Sequence, residues 1–176
     1  PNLYLMDEAQ KYIFEAQAFE EKVRHVSEAL RIPPEWLMAV MFSESRLQSS
    51  VKNFKGSGAT GLIQFMPFTA RELGTTTSDL QKMTPVRQLD WVHKYIDKVR
   101  QQRCGKGTFK SLTHLYMSVL WPRGVNKPMT YVLYRKPSKS YKQNSGLDVN
   151  KDGKVTVWDI DQRMKKKFKT AYDIKA

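Results

Sequence analysis

The sequence predicts a mainly α-helical domain, and three observations support this fold class. Apolar residues recur at steps of three and four in several long segments, which is the spacing of one face of an amphipathic helix. Strand-like alternation of apolar and polar residues is scarce. Prolines stand where the periodic segments begin or end. With 176 residues the chain suits one substantial core, so a single domain over residues 1–176 is expected.

The N-terminal part is predicted to hold two helices and then a long loop. Within residues 8–30 one apolar stripe is formed by Phe19, Val23, Val26 and Leu30. Pro33-Pro34 ends this helix, and Pro34 suits the first turn of a second helix over residues 34–46, because its missing N–H would be unpaired there anyway. Residues 47–67 are rich in Ser, Asn and Gly, which predicts a loop.

The remainder of the chain carries several further helical signals. Short helices are predicted at residues 69–74 and 77–83, and a third helix at residues 108–120. A longer helix begins at Pro85, and its apolar face is formed by Val86, Leu89, Val92, Ile96 and Val99. One final helix is predicted from Ile160, Met164, Phe168 and Tyr172, which recur at steps of four. Residues 129–141 show no clear period.

The composition limits the partners of the protein. Thirty Lys and Arg against 17 Asp and Glu give a formal net charge of +13, which predicts attraction to nucleic acid, anionic membranes or acidic wall polymers. No nucleic-acid recognition motif accompanies this charge, so nucleic acid is not predicted as a specific ligand. The longest apolar run, residues 36–42, is far shorter than the roughly 20 residues that cross a bilayer. Residues 1–10 lack the pattern of a secretory signal. With one cysteine, Cys104, an internal disulfide is excluded.

Residues 56–61 read GSGATG, which has the spacing of a dinucleotide-binding fingerprint. That fingerprint needs a hydrophobic strand before the glycines and a helix directly after them. Here SSVKNFK precedes the glycines and LIQFMP follows them, so nucleotide binding is not predicted. The glycines allow close backbone approach, and the amide of Gln64 is flanked by apolar Ile63 and Phe65. This mixture suits a sugar ligand better than a phosphate, although a plain turn between helices is the alternative.

Glu44 is predicted to project from the apolar side of its helix, since it follows Leu37 by seven residues and Val40 by four. A carboxyl group in that position is desolvated, and desolvation raises its pKa. It then holds a proton near neutral pH, as a general acid must. The alternative from the sequence is a helix-end glutamate that pairs with Arg46 or Lys52.

Three short motifs follow one another along the chain: Glu44-Ser45, Gly61-Leu62-Ile63-Gln64, and Tyr116 on a later helix. Together they resemble the ordered Glu-Ser, Gly-Leu-Met-Gln and Ala-Tyr-Asn motifs of lytic transglycosylases with a goose-type lysozyme fold. Ile63 replaces the Met of the second motif, and the Ala and Asn beside the Tyr are absent. The resemblance covers roughly residues 30–125 and implies a lysozyme-like helical domain of the soluble lytic transglycosylase type. The segments VLWPRGVNKP and NSGLDVNKDGK are similar to those of phage-encoded, virion-associated members.

The resemblance implies cleavage of the β-1,4 bond between N-acetylmuramic acid and N-acetylglucosamine in peptidoglycan. Glu44 would act as acid and then as base, forming a 1,6-anhydro end without a cofactor. The substrate would be bound by Ser45, Gly61, Ile63, Gln64, Phe65 and Tyr116. The phage-type resemblance implies a virion-associated or released protein that acts on the wall in the periplasm, with peptidoglycan and other virion proteins as partners.

An argument from the residues alone supports this mechanism. Glycosidases that use water or a covalent intermediate generally need a second carboxylate. None occurs from Ser45 to Arg71, the segment expected to line the cleft, which favours an internal nucleophile. Two alternatives stay open, a hydrolytic lysozyme (muramidase) and a noncatalytic module that binds peptidoglycan or polyanions.

Residues 148–159 match the ligand spacing of an EF-hand calcium loop. Loop positions 1, 3, 5, 7 and 12 are occupied by Asp148, Asn150, Asp152, Lys154 (through its carbonyl) and Asp159. Gly153 falls at position 6 and Val155 at position 8. Asp159 replaces the usual longer Glu, and KPSKSYKQNSG makes a poor incoming helix, so the loop resembles a dockerin-type single loop. The sequence predicts one structural Ca²⁺ in an EF-hand-like loop near the C-terminus, and an Asp/Asn/Gly turn is the alternative.

Overall fold

The N-terminal part of the chain folds into helices α1 (Met6–Ala9), α2 (Ala16–Leu30) and α3 (Pro34–Ser45). The structure is a computed structural model that describes residues 2–53 and 55–176. The predicted stripe of α2 is confirmed, because its four apolar side chains are fully buried. Pro34 begins α3 as predicted, and Arg46 ends it in the left-handed conformation.

A loop then leads to the central helices α4 (Pro67–Leu73), α5 (Thr77–Lys82), α6 (Pro85–Arg103) and α7 (Leu112–Leu120). The loop contains bridges of Thr60 with Lys52 and with Phe65. Phe54 of this predicted loop and Pro1 of the predicted domain lie outside the described residues. The side-chain hydroxyls of Thr76, Thr84 and Ser111 accept backbone N–H groups in the first turns of α5, α6 and α7. These caps determine where each helix begins.

The described C-terminal part contains two short paired strands and three helices. A 3₁₀ turn at Pro122–Gly124 leads to β1 (Val132–Arg135), which is followed by α8 (Lys139–Gln143) and a second 3₁₀ turn at Ser145–Leu147. Next come β2 (Lys154–Thr156), α9 (Val157–Lys167) and α10 (Lys169–Tyr172). The strands are antiparallel, with Tyr134 opposite Val155 and Arg135 opposite Lys154.

Helix boundaries differ most from the predictions at three places, and α4 also begins at Pro67, the last residue of the predicted loop. The helix predicted over residues 8–30 is divided, because the turn after α1 puts Ile13 in the core at 3% exposure. The helix predicted at residues 108–120 begins at Leu112, next to its cap. The final helix is divided at Phe168, whose φ of −132° and ψ of 52° are not helical, although its ring is buried. The four-residue spacing continued across that break and concealed it.

The C-terminal segment packs onto α3. Trp36 of α3 is 1% exposed, and its indole N–H donates to the carbonyl oxygens of Ala171 (3.0 Å) and Ile174 (3.1 Å). A buried indole N–H needs such a partner. Helix α2 packs along α6 on another side of the core. The mainly α fold is therefore confirmed, and in it the end of the chain supports the helix that carries Glu44. Among the described residues, no helix is both long enough and apolar enough to cross a membrane.

Candidate active site

Glu44 lies in the last turn of α3 and is partly buried. Burial raises the pKa of its carboxyl group to about 7. Within residues 2–53 and 55–176, no cation forms an ion pair with this carboxyl group. Arg46 instead places its guanidinium 5.4 Å from the centre of the Phe42 ring. The predicted burial of Glu44 is thus present in part, and among the described residues the alternative pairing with Arg46 or Lys52 is not.

Ser45 joins the end of α3 to the turn formed by residues 61–64. Its hydroxyl donates to the carbonyl oxygen of Leu62 at 2.8 Å and lies 3.0 Å from the carbonyl oxygen of Met41. The side chain is 7% exposed. The hydroxyl is bonded to carbonyl oxygens of the protein. Ser45 therefore affects a ligand by holding the turn in position.

The turn itself depends on two residues with positive φ. Gly61 has a φ of 86° and Gln64 a φ of 57°. The backbone N–H of Gln64 donates to the Gly61 carbonyl at 3.0 Å, and its side-chain amide donates to the carbonyls of Gly61 (3.2 Å) and Val51 (3.3 Å). A non-glycine residue in this region costs about 1–3 kcal/mol and persists where its surroundings impose it. The turn therefore holds the Gln64 amide in one orientation.

A small pocket of about 50 Å³ adjoins the turn. Its lining residues are Ile63, Gln64, Phe65, Met66, Thr69, Tyr95 and Val119. Phe65 meets Tyr95 edge to face, with ring centres 6.4 Å apart, and the Tyr95 hydroxyl donates to the Ser118 carbonyl at 2.7 Å. The pocket is far smaller than the roughly 300–1,000 Å³ of typical ligand sites, and Glu44 is not among its lining residues. The predicted residues Ile63, Gln64 and Phe65 thus meet in one pocket.

Tyr116 lies on α7 near Glu44 and is 7% exposed. Burial and then the nearby Glu44 charge raise the pKa of its hydroxyl to about 12, against opposing effects of Ser43 and Arg163. The hydroxyl is therefore a proton-bearing donor at neutral pH. The structure brings together Glu44, Ser45 and Tyr116 from two helices.

Gln88 is the organising residue that sequence reasoning missed. It is fully buried on α6, and its side-chain oxygen accepts the Leu62 N–H at 2.7 Å. Its amide donates to the carbonyls of Ser49 and Leu80, both at 2.8 Å. A Cβ on Gly61 would lie 2.5 Å from the same side-chain oxygen. One signal in the sequence pointed to Gln88, since a polar residue stands four residues before Val92 on the apolar face of α6.

The predicted calcium loop contains two buried carboxylates. Asp148 is 2% exposed and accepts the Gly153 N–H (2.9 Å) and the Tyr141 hydroxyl (2.7 Å). Asp159 is 1% exposed and accepts the N–H groups of Val149 (2.9 Å) and Thr156 (2.8 Å). These donors belong to the loop or its flanks, so the carboxylates organise the backbone around them.

The other predicted ligands of that loop are more exposed. Asn150 and Asp152 face solvent, and Asp152 accepts the Lys154 N–H at 3.0 Å. Across residues 2–53 and 55–176, no three His, Cys, Asp or Glu side chains are grouped so as to hold a metal ion. Calcium binding would therefore require the carboxylates of Asp148, Asp152 and Asp159 to move closer to one another.

Comparison with known proteins identifies the family. A family model described as "Transglycosylase SLT domain" matches residues 21–108, which is half of the chain. The matched part includes Glu44-Ser45, the turn at 61–64 and Gln88, whereas Tyr116 and the loop at 148–159 lie beyond it. No curated protein matches the chain. The members of the matched family are lytic transglycosylases, enzymes that act on peptidoglycan. The protein is thus an enzyme of this class with a lysozyme-like domain, and its chain belongs to the transglycosylase SLT domain family.

Proposed function

We propose that the protein cleaves the β-1,4 bond between N-acetylmuramic acid and N-acetylglucosamine and leaves a 1,6-anhydro end on the muramic acid. The observation that carries this proposal is the Glu44 carboxyl group, which is partly buried and has a pKa of about 7. A group with that pKa gives up and takes back a proton at neutral pH. Both steps of the proposed reaction need this property.

Glu44 acts twice in the reaction. Its carboxylic acid first gives a proton to the glycosidic oxygen, and the bond from that oxygen to C1 of the muramic acid breaks. The C6 hydroxyl of the same sugar then attacks C1, while the Glu44 carboxylate removes the hydroxyl proton. A C1–O6 bond forms, Glu44 is protonated again, and no water is consumed.

The surroundings of Glu44 support this mechanism over hydrolysis through a covalent intermediate. Burial accounts for its raised pKa, and no other carboxylate of the described chain contributes to it. Retaining glycosidases place a second carboxyl group about 5–5.5 Å from the acid, where its charge would act on the first. An internal hydroxyl nucleophile needs no such partner.

The neighbouring residues have distinct proposed roles. Tyr116, as a proton-bearing donor near Glu44, binds an oxygen atom of the sugar at the cleavage point. Gln64 offers the oxygen of its fixed side-chain amide, and Ile63 and Phe65, which are 3% and 2% exposed, support the turn from beneath. Gly61 and Ser45 hold the turn in place.

The test combines product analysis with a matched pair of variants. Purified peptidoglycan should yield 1,6-anhydromuramyl ends by mass spectrometry. The rate of Glu44→Gln should be about 10²–10⁴-fold below that of the parent, because one residue supplies both acid and base. Glu35→Gln, in the first turn of the same helix, is the control and should keep the parent rate. Reducing muramyl ends as the sole product would reassign the enzyme to the lysozymes, and full activity in Glu44→Gln would exclude Glu44 as the acid.

We also propose that residues 148–159 bind one Ca²⁺ that stabilises the fold. Asp148, Asn150, Asp152, Asp159 and the Lys154 carbonyl would hold the ion, which supplies positive charge among three carboxylates. Two features support the fit: Gly153 has a φ of 86° at loop position 6, and Val155 is fully buried at position 8. No step of sugar cleavage requires this ion.

A third proposal concerns location. The similarity of VLWPRGVNKP and NSGLDVNKDGK to phage-encoded members supports a virion-associated or released phage protein that meets the wall in the periplasm, with other virion proteins as partners. Mass spectrometry of purified phage particles and of phage lysates tests this location. Absence of the protein from both would contradict it.

A further inference from the structure

The outward side of α9 forms an open basic groove of about 810 Å³. We call it the α9 groove, and its cationic lining residues are Arg163, Lys165, Lys166, Lys167 and Lys169. Val149, which is 50% exposed, adds an apolar side chain to the lining. No carboxylate of the described residues lines the groove.

The charges of α9 are divided between its two sides. Asp161 faces inward, where it accepts the hydroxyls of Thr113 (2.8 Å) and Tyr172 (2.7 Å). Asp159 likewise faces Thr156 and is 1% exposed. Neither carboxylate can therefore neutralise the cations on the outer side.

Few local partners compensate the groove cations. Lys169 pairs with Asp173 at 2.8 Å, whereas Lys165, Lys166 and Lys167 form no ion pair within residues 2–53 and 55–176. A cation in the last turn of a helix interacts favourably with its dipole. That effect explains the position of one or two lysines, but it does not explain a groove lined by five cations. The groove is therefore suited to an anionic ligand.

The α9 groove lies on a helix that packs against α7, the helix that carries Tyr116. Arg163 lies close enough to Tyr116 for its charge to act on the tyrosine hydroxyl. Partial burial and the nearby Arg163 and Arg46 charges lower the pKa of Lys167. Arg46 follows Glu44-Ser45 directly in the chain. Arg163 is thus a groove cation that lies near the proposed active site.

We propose that the α9 groove binds the carboxylates of the peptide stems on muramic acid, so that the enzyme prefers stem-bearing strands to bare glycan. The proposal rests on the proposed function, because a strand held at Glu44 brings its stems to the adjoining surface. Glycan stripped by an amidase keeps one lactyl carboxylate beside each muramic acid ring, whereas each stem carries its free carboxylates farther from the sugar. Lysines suit stems of varied geometry, since an ammonium group is a flexible point charge.

The test compares two substrates and two triple variants. The substrates are purified glycan strands with stems and the same strands after an amidase has removed the stems. The groove variant carries Lys165→Gln, Lys166→Gln and Lys167→Gln. The control carries Lys82→Gln, Lys98→Gln and Lys106→Gln, which are exposed, lie outside the groove lining and lower the net charge equally.

The groove variant should lose roughly tenfold in kcat/KM on stem-bearing strands at low salt, since each exposed ion pair contributes at most about a fivefold factor. It should keep the parent rate on stripped strands, and the control should keep both rates. Added salt should reduce the preference of the parent. Equal losses in both triple variants, or an equal loss on both substrates, would overturn the proposal.

Two further outcomes separate this proposal from its rivals. If the groove variant keeps the stem preference but loses binding to duplex DNA that the control retains, the groove binds nucleic acid and the proposal is wrong. A parent enzyme that cleaves both substrates equally well also contradicts the groove proposal and leaves the proposed function intact. A parent that cleaves neither substrate contradicts the proposed function itself.

Discussion

Glu44 keeps its proton at a pH where an exposed glutamate has lost it, and this affects stability as well as catalysis. Its pKa in the folded protein is about 7, above the ordinary value of 4.5. Between these values the folded state binds more protons than the unfolded state, so the free energy of unfolding falls as pH rises. Below pH 4.5 Glu44 is protonated in both states, so the cost of burying its charge is absent.

Glu44→Gln should therefore stabilise the protein at pH 8, by an amount on the order of 2 kcal/mol, because the amide needs no charge to be buried. At pH 4 the two proteins should have nearly equal stability. Urea unfolding of both proteins at each pH measures the difference. A stability difference that is the same at pH 4 and pH 8 would show that Glu44 is not the titrating group.

Gln88 is a positioning residue whose loss should weaken the active site without touching substrate. Gln88→Met keeps the side-chain volume but leaves the Leu62 N–H and the Ser49 carbonyl without partners, while the Leu80 carbonyl keeps the Met83 N–H. Each unpaired buried group costs about 1–3 kcal/mol, so we expect a loss of at least about 2 kcal/mol and a lower kcat with a smaller change in KM. Gln101→Met, at an exposed position of α6, is the control. Parent stability and kcat in Gln88→Met would contradict this role.

At the scale of elements, the loop before α9 is expected to respond to calcium. Ca²⁺ that binds the folded loop should raise the melting temperature of the parent, because a ligand specific to the folded state stabilises it. Asp148→Ala combined with Asp152→Ala should lower the melting temperature and remove the calcium response. Scanning calorimetry of chelator-treated protein, with and without Ca²⁺, measures both effects. An unchanged melting temperature of the parent on adding Ca²⁺, or an equal effect of Mg²⁺, would identify the loop as an ordinary turn or an unselective site.

The sequence predicted elements well where their signal is local. The stripe of α2, the proline that begins α3 and the inward position of Glu44 all follow from spacing within a single helix. Strand β1 could not be predicted, because four residues paired with a distant partner leave no period to detect. Gln88 was missed for the same reason, since its role depends on contact with Leu62, 26 residues away.

At the scale of the whole molecule, the C-terminal part belongs to the core although it lies beyond the family-matched residues. Val155, Val157, Ile160 and Met164 are all fully buried. A chain that ends at residue 126 should therefore fail to unfold cooperatively, while the full chain should show one calorimetric transition, as the predicted single domain requires. Cooperative melting of the shortened chain near the parent temperature would show that residues 1–126 fold alone.

The hydrogen bonds of Trp36 make this residue an internal optical reporter. Its indole is the fully enclosed one, whereas Trp91 and Trp121 are partly exposed and Trp158 is 38% exposed. Short-wavelength emission, little affected by aqueous quenchers, should therefore come from Trp36 while its N–H is bound to Ala171 and Ile174. When α10 leaves α3, water reaches the indole and the emission shifts to longer wavelength. Fluorescence thus follows the release of the chain end in real time, without any label attached to the enzyme.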